Sequence, residues 1–95
     1  LNKLKKVINV GRSTPVPQLA GSIVWSLEEY NNVVEVRAMG ASAVSQAVKA
    51  LAVARGMLAS QGTDLLVRPS FDTINDHDTD KTVIVLTVVL GGELK

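Results

Sequence analysis

The chain has 95 residues, a formal net charge of +1, 46% hydrophobic and 20% charged residues, and no cysteine. This length offers room for one small domain over 1–95, and the lack of cysteine excludes disulfide frameworks and thiolate chemistry. With one tryptophan, one tyrosine and one phenylalanine, base stacking on an aromatic platform is nearly excluded as well. No apolar run reaches membrane-spanning length and the first residues lack a signal-peptide apolar region, so a cytoplasmic protein is expected. Leu1 is not an initiator methionine, and a chain trimmed or cut from a longer product is expected. Charge is uneven: Lys3, Lys5, Lys6 and Arg12 stand at the front without an acid, while Asp72, Asp76, Asp78 and Asp80 crowd one later segment.

Lys6 to Val10 is β-branched and loosely alternating, which predicts a first strand. Gly11 to Pro17 is rich in breakers and predicts a loop. Val16, Leu19, Ala20, Ile23, Val24 and Leu27 then recur at helical spacing, giving an amphipathic helix from about Val16 to Tyr30. Ser13 or Thr14 is expected to cap it, and Asn31-Asn32 to end it. Trp25 falls opposite the apolar stripe, beside Gln18, Gly21 and Ser22, as a contact surface or as packing against the chain's own edge. Val33 to Met39 alternates as a second strand that turns on Gly40.

A long helix follows, capped by Ser42 and running to about Leu58, with Gly56 interrupting its last turns. Ala43, Ala47, Leu51 and Ala54 line one side of it, with Val44, Val48 and Ala52 alongside. The alanine side suits close packing on a sheet or a dimer seam. Ser60 to Gly62 reads as a turn, Asp64 to Pro69 as a third strand and Lys81 to Leu90 as a fourth, joined by a polar, aspartate-rich tip. Gly91-Gly92 closes the fold. The order β-α-β-α-β-β predicts an α/β (α+β) two-layer sandwich, a four-stranded mixed sheet with both helices on one face.

Three groups of residues suit an anion. Arg12 offers bidentate donors, with Ser13 and Thr14 adding neutral ones; the plainer reading is a helix cap beside a solvated arginine. Gly40 and Ser42 open the second helix, whose N-terminal N–H groups and dipole favour negative charge. The plainer reading there is a strand-to-helix turn that needs a glycine, since neither a Walker loop nor a dinucleotide fingerprint is present. Gln46 and Lys49 share the polar face of that helix with Ser42 and Ser45, and Lys5, Lys6 and Arg37 join them if strand order allows. Together these make a shallow strip for phosphates rather than base edges.

The alternating aspartates Asp76, Asp78 and Asp80 do not make a calcium loop. Lys81 stands where the glycine belongs and Thr87 where the closing glutamate belongs. His77, the lone histidine, has no cysteine or second histidine to complete a zinc site. A solvated acidic hairpin is expected, with no metal and no cofactor, and its acid would repel nucleic acid. No nucleophile with a base and no paired carboxylates point to catalysis, so neither an enzyme nor a small-molecule substrate is expected.

The runs Leu19 to Ile23 (LAGSI), Ala38 to Val44 (AMGASAV) and Gln46 to Gly56 (QAVKALAVARG) carry a resemblance. Ser60 to Leu66, Pro69 with Phe71, and Lys81 to Ile84 extend it. Over roughly Lys6 to Val89 the chain resembles the stage V sporulation protein S family, which is similar to the Alba superfamily of small dimeric nucleic-acid-binding proteins. The resemblance implies an Alba-like fold, a homodimer, a role in bacterial development or sporulation, and DNA or RNA as partner. It implies contacts from the loop after the first strand, the start of the second helix and the last hairpin. The candidate binding residues are thus Arg12, Ser13, Thr14, Gly40, Ser42, Ser45, Gln46 and Lys49. The other expectation is a protein-interaction or assembly module with no direct nucleic-acid binding, using the Trp25 face or the alanine side of the second helix.

Overall fold

The computed structural model describes residues 6–29 and 33–93, without the side chains of 92 and 93. Its elements are β1 (Lys6–Val10), α1 (Val16–Glu29), β2 (Val33–Ala38), α2 (Ala41–Ala59), β3 (Thr63–Asp76) and β4 (Thr79–Glu93). The expected α1 terminus at Tyr30 to Asn32 and the cations Lys3 and Lys5 lie outside the described residues.

The strands form one mixed sheet in the order β1-β2-β4-β3. β1 runs parallel to β2, and β4 is antiparallel to both β2 and β3. Strand alternation sends Val34, Val36 and Ala38 of β2 to one face, where they are buried, and leaves Val33, Glu35 and Arg37 half-buried on the other. The helices cover the first face. Leu19, Ala20, Ile23, Val24 and Leu27 of α1 meet Ala43, Ala47, Ala50, Leu51, Ala54 and Leu58 of α2 over Leu65, Leu86 and Val88. Burying each large aliphatic chain such as Ile23 or Leu27 contributes about 1.5–3 kcal/mol. Alanine every third or fourth position lets α2 sit close to its neighbours, so the alanine side is spent inside the chain and is not a dimer seam. One buried group is unsatisfied: the Ser26 hydroxyl has no partner among the described residues, which costs about 1–3 kcal/mol.

Several boundaries differ from the sequence reading. Gly56 does not interrupt α2, which continues to Ala59; packing on both sides outweighs the roughly 1 kcal/mol that glycine costs a helix. The turn at Ser60 to Gly62 is present, with Gln61 and Gly62 N–H donating to Leu58 and Ala59 carbonyls. The segment taken as a polar tip is instead strand. β3 and β4 pair in register from Leu65↔Leu90 to Asp76↔Thr79, and β4 continues through Gly91-Gly92. Polar side chains predict a loop there, but the inward-facing backbone groups of the two strands pair with each other, so exposure of both faces does not end the ladder. A two-residue turn closes the hairpin with positive φ at His77 (51°) and Asp78 (63°), the primed geometry that matches strand twist. Pro69 is tolerated because β3 is an edge strand, where a missing N–H need not break a ladder.

β2 pairs with β4 only over Ile84 to Val89. Thr79 to Val83 and their partners therefore project past the Ala38 end of β2 by about 16 Å at 3.3 Å per residue. Because β1 and β2 are parallel, that same end carries both strand-to-helix connections.

Candidate nucleic-acid interface

The connection after β1 is a closed turn. Thr14 N–H donates to the Gly11 carbonyl at 3.2 Å, and Gly11 N–H donates to Thr14 Oγ1 at 2.8 Å. Two reciprocal bonds hold the ends together and leave Arg12 and Ser13 exposed at the apex. The Thr14 hydroxyl is thus spent on the turn. The Pro15 carbonyl accepts the first α1 bond, from Leu19 N–H at 3.0 Å. Neither Ser13 nor Thr14 caps α1, because the helix begins one residue later than a Thr14 cap requires and two later than a Ser13 cap requires.

The connection after β2 is two residues, Met39 and Gly40. Gly40 adopts φ 89°, ψ 156° and stands at the N-cap of α2 without a side-chain cap; Val44 N–H donates to its carbonyl at 3.0 Å. That backbone region belongs almost wholly to glycine. A Cβ there would meet nothing within 4 Å, so the requirement is conformational and not steric. Ser42, expected as the cap, lies instead inside the first turn of α2. The early N–H groups of the helix have no capping side chain, and the positive end of its dipole faces outward.

Gln46 joins the first connection to α2. Its side-chain Nε2 donates to the Thr14 carbonyl at 2.8 Å across a half-buried contact. The bond fixes the Arg12–Ser13 apex against the first turns of α2 and makes Gln46 a positioning residue. Ser42, Ser45 and Lys49 are all exposed on α2, and Ser45 and Lys49 share a face at the i, i+4 spacing. Arg12, Ser13, Thr14, Gly40 and Ser42 thus lie at one end of the sheet, with the Gln46–Thr14 bond as an internal tie, whereas Lys49 stands midway along α2.

Charge pairing sorts the described cations. Arg55 pairs with Asp64 at 2.9 Å and Lys81 with Asp76 at 3.3 Å. Arg37, expected to join the strip if strand order allowed, does not. It lies on the helix-free face, held by Glu35 at 2.9 Å and Asp72 at 3.1 Å. The hydrogen bond from Arg37 holds the Asp72 carboxyl below its usual range, with Thr73 N–H adding to it, and Asp72 in turn raises the guanidinium. Arg12 and Lys49, by contrast, make no ion pair among the described residues.

Sequence reading could not place the acidic hairpin. It projects from the same end as the Arg12 turn, bringing Asp76, Asp78 and Asp80 beyond the strip. It also missed Asn9 and Met39, which line a depression on the helix-free face with Arg37, Ile74 and Val83. The available signal was the β-α-β order: two parallel strands put both outgoing loops at one end.

The elements and their order define a small α+β protein with an Alba-like fold. Alba from Thermoplasma volcanium is similar in structure, with a TM-score of 0.61 and 18% sequence identity over 92% of this chain and 100% of that one. The family model for Stage V sporulation protein S (SpoVS) matches residues 6–91, and the chain belongs to that family.

Proposed function

We propose that the chain is a small, non-enzymatic nucleic-acid-binding protein that grips phosphates with weak sequence specificity. The observation that carries this reading is the Gln46–Thr14 bond at 2.8 Å. It ties the Arg12 turn to the first turns of α2, and Lys49, farther along that helix, extends the proposed strip. Two cations and a set of neutral donors suit a phosphate backbone, and they offer little to read base edges in a groove. Gly40 lets the backbone N–H groups approach an anion closely. The similarity in fold to an Alba protein supports the same reading, as does membership of a sporulation family for a role in bacterial development. No helix among the described residues is long and apolar enough to cross a membrane; a cytoplasmic place of action is part of the same proposal.

One such strip is weak alone, and a homodimer would double it. The surface that suits a second copy is a groove between α2 and β3, lined by Val48, Leu51, Ala52, Leu65 and Val67. Val48 is 54% exposed and Phe71, farther along the same face of β3, is 73% exposed. Apolar side chains this open on adjoining elements mark a contact surface.

The competing reading is a protein-interaction module without nucleic acid, favoured by Trp25, which is 56% exposed on the outer side of α1. Titration of the purified chain against labelled duplex DNA, single-stranded DNA and RNA at low and moderate salt separates the two. Phosphate binding gives a steep negative salt slope. No binding to any of the three at low salt leaves the Trp25 face as the working site.

A further inference from the structure

We propose that the depression below the strip receives one unpaired nucleobase, making the protein a binder of single-stranded nucleic acid. The proposal rests on the phosphate reading above and adds to it a site for the base. The depression lies at the C-terminal ends of β1 and β2, on the helix-free face, bounded on its other side by the projecting hairpin. Asn9, next to last in β1, and Met39, first residue after β2, line it beside the connections that carry Arg12 and Gly40. A chain whose phosphates rest on those connections brings its bases over this opening.

Size and lining fit a single heterocycle. The volume is about 210 Å³, below the roughly 300–1,000 Å³ of pockets that enclose drug-sized molecules. Val83 is buried at its base, while Met39 and Ile74 are 43% and 37% exposed, apolar walls open at the mouth. A thioether lies favourably against an aromatic ring. Arg37 also lines the site, and Glu35 and Asp72 fix its guanidinium and neutralise its charge. It is thereby removed from phosphate binding, yet a fixed guanidinium plane is a surface on which unstacked bases lie in single-strand recognition. Asn9, register partner of Arg37, brings an amide donor and acceptor to a base edge and has no hydrogen-bond partner among the described residues. The nearby aspartates repel phosphates but not an uncharged base. Bases within a duplex are stacked on both faces, so only an unpaired one enters.

The test compares a short labelled RNA, the same strand with abasic nucleotides, and its duplex, each titrated by anisotropy at two salt concentrations. The base-bearing strand is expected to bind at least about fivefold tighter than the abasic one. Asn9→Ala and Met39→Ala should remove that difference while leaving abasic affinity and salt slope unchanged. Equal affinity for base-bearing and abasic strands, with a steep salt slope retained, overturns the base site and leaves the phosphate strip standing. Failure of all three to bind at low salt overturns both. On the unaltered chain, the methyl resonances of Met39 and Ile74 should shift with a nucleoside monophosphate and not with inorganic phosphate; unmoved methyls overturn the proposal.

Discussion

The side-chain amide of Gln46 donates to the main-chain carbonyl of Thr14 at 2.8 Å, linking α2 to the turn after β1 across 32 residues of sequence. Gln46→Ala should cost about 1 kcal/mol, the usual net worth of such a bond, and lower nucleic-acid affinity several-fold by freeing the Arg12 turn. Gln46→Glu should do more harm, since a carboxylate brings no donor to a carbonyl. Urea midpoints and anisotropy titrations check both variants.

Arg12 and Lys49, which make no ion pair among the described residues, are the two cations of the proposed strip. Reversing both, Arg12→Glu with Lys49→Glu, should weaken binding to every nucleic acid alike and reduce the log–log salt slope by about 2. An unchanged slope would remove both residues from the interface.

Gly40 holds its turn through backbone conformation alone, at φ 89° and with space for a Cβ. Gly40→Ala should lower stability by about 1–3 kcal/mol through strain. Gly40→Ser should do no better, because the capping hydroxyl acts from a β-region backbone that this turn does not adopt. Thermal unfolding by circular dichroism measures both.

Val48 stands open on the groove proposed for a second copy. Val48→Asp should shift the sedimentation profile from dimer to monomer and weaken nucleic-acid binding through lost avidity. A wild-type chain that sediments as a monomer at all concentrations would refute the dimer.

Asp72 titrates against Arg37. Its folded pKa lies below the ordinary carboxylate value of 3.8, chiefly through the Arg37 hydrogen bond. The ion pair therefore contributes in full above that ordinary value, and its contribution is lost as pH falls through the lower folded value. Asp72→Asn should flatten this part of the acid limb in pH-dependent thermal unfolding and leave the variant less stable at neutral pH. The base site makes the same variant informative, since it releases one end of the Arg37 guanidinium.

Periodicity made much of the fold legible. The stripe from Val16 to Leu27 and the alanine spacing of α2 report which side each helix buries, because burial repeats with the helical turn. Gly40 was legible as a turn because few other residues take its backbone. Caps were misplaced at Thr14 and Ser42, since a hydroxyl near a helix start has several local partners and sequence does not rank them. The hairpin itself was legible, but not how far its strands extend, because Asp72 to Asp80 lacks apolar alternation and pairing there is secured by β4 rather than by burial.

By itself the sequence determined the order of elements, the buried stripes and the family, all of which rest on side chains close together in the chain. Only the tertiary structure decided that Arg37 is neutralised, that the acidic hairpin shares an end with Arg12, and that Gln46 ties the Arg12 turn to α2. Those outcomes depend on strand order and register. They follow from which distant backbones pair, and no local pattern of residues encodes that by itself.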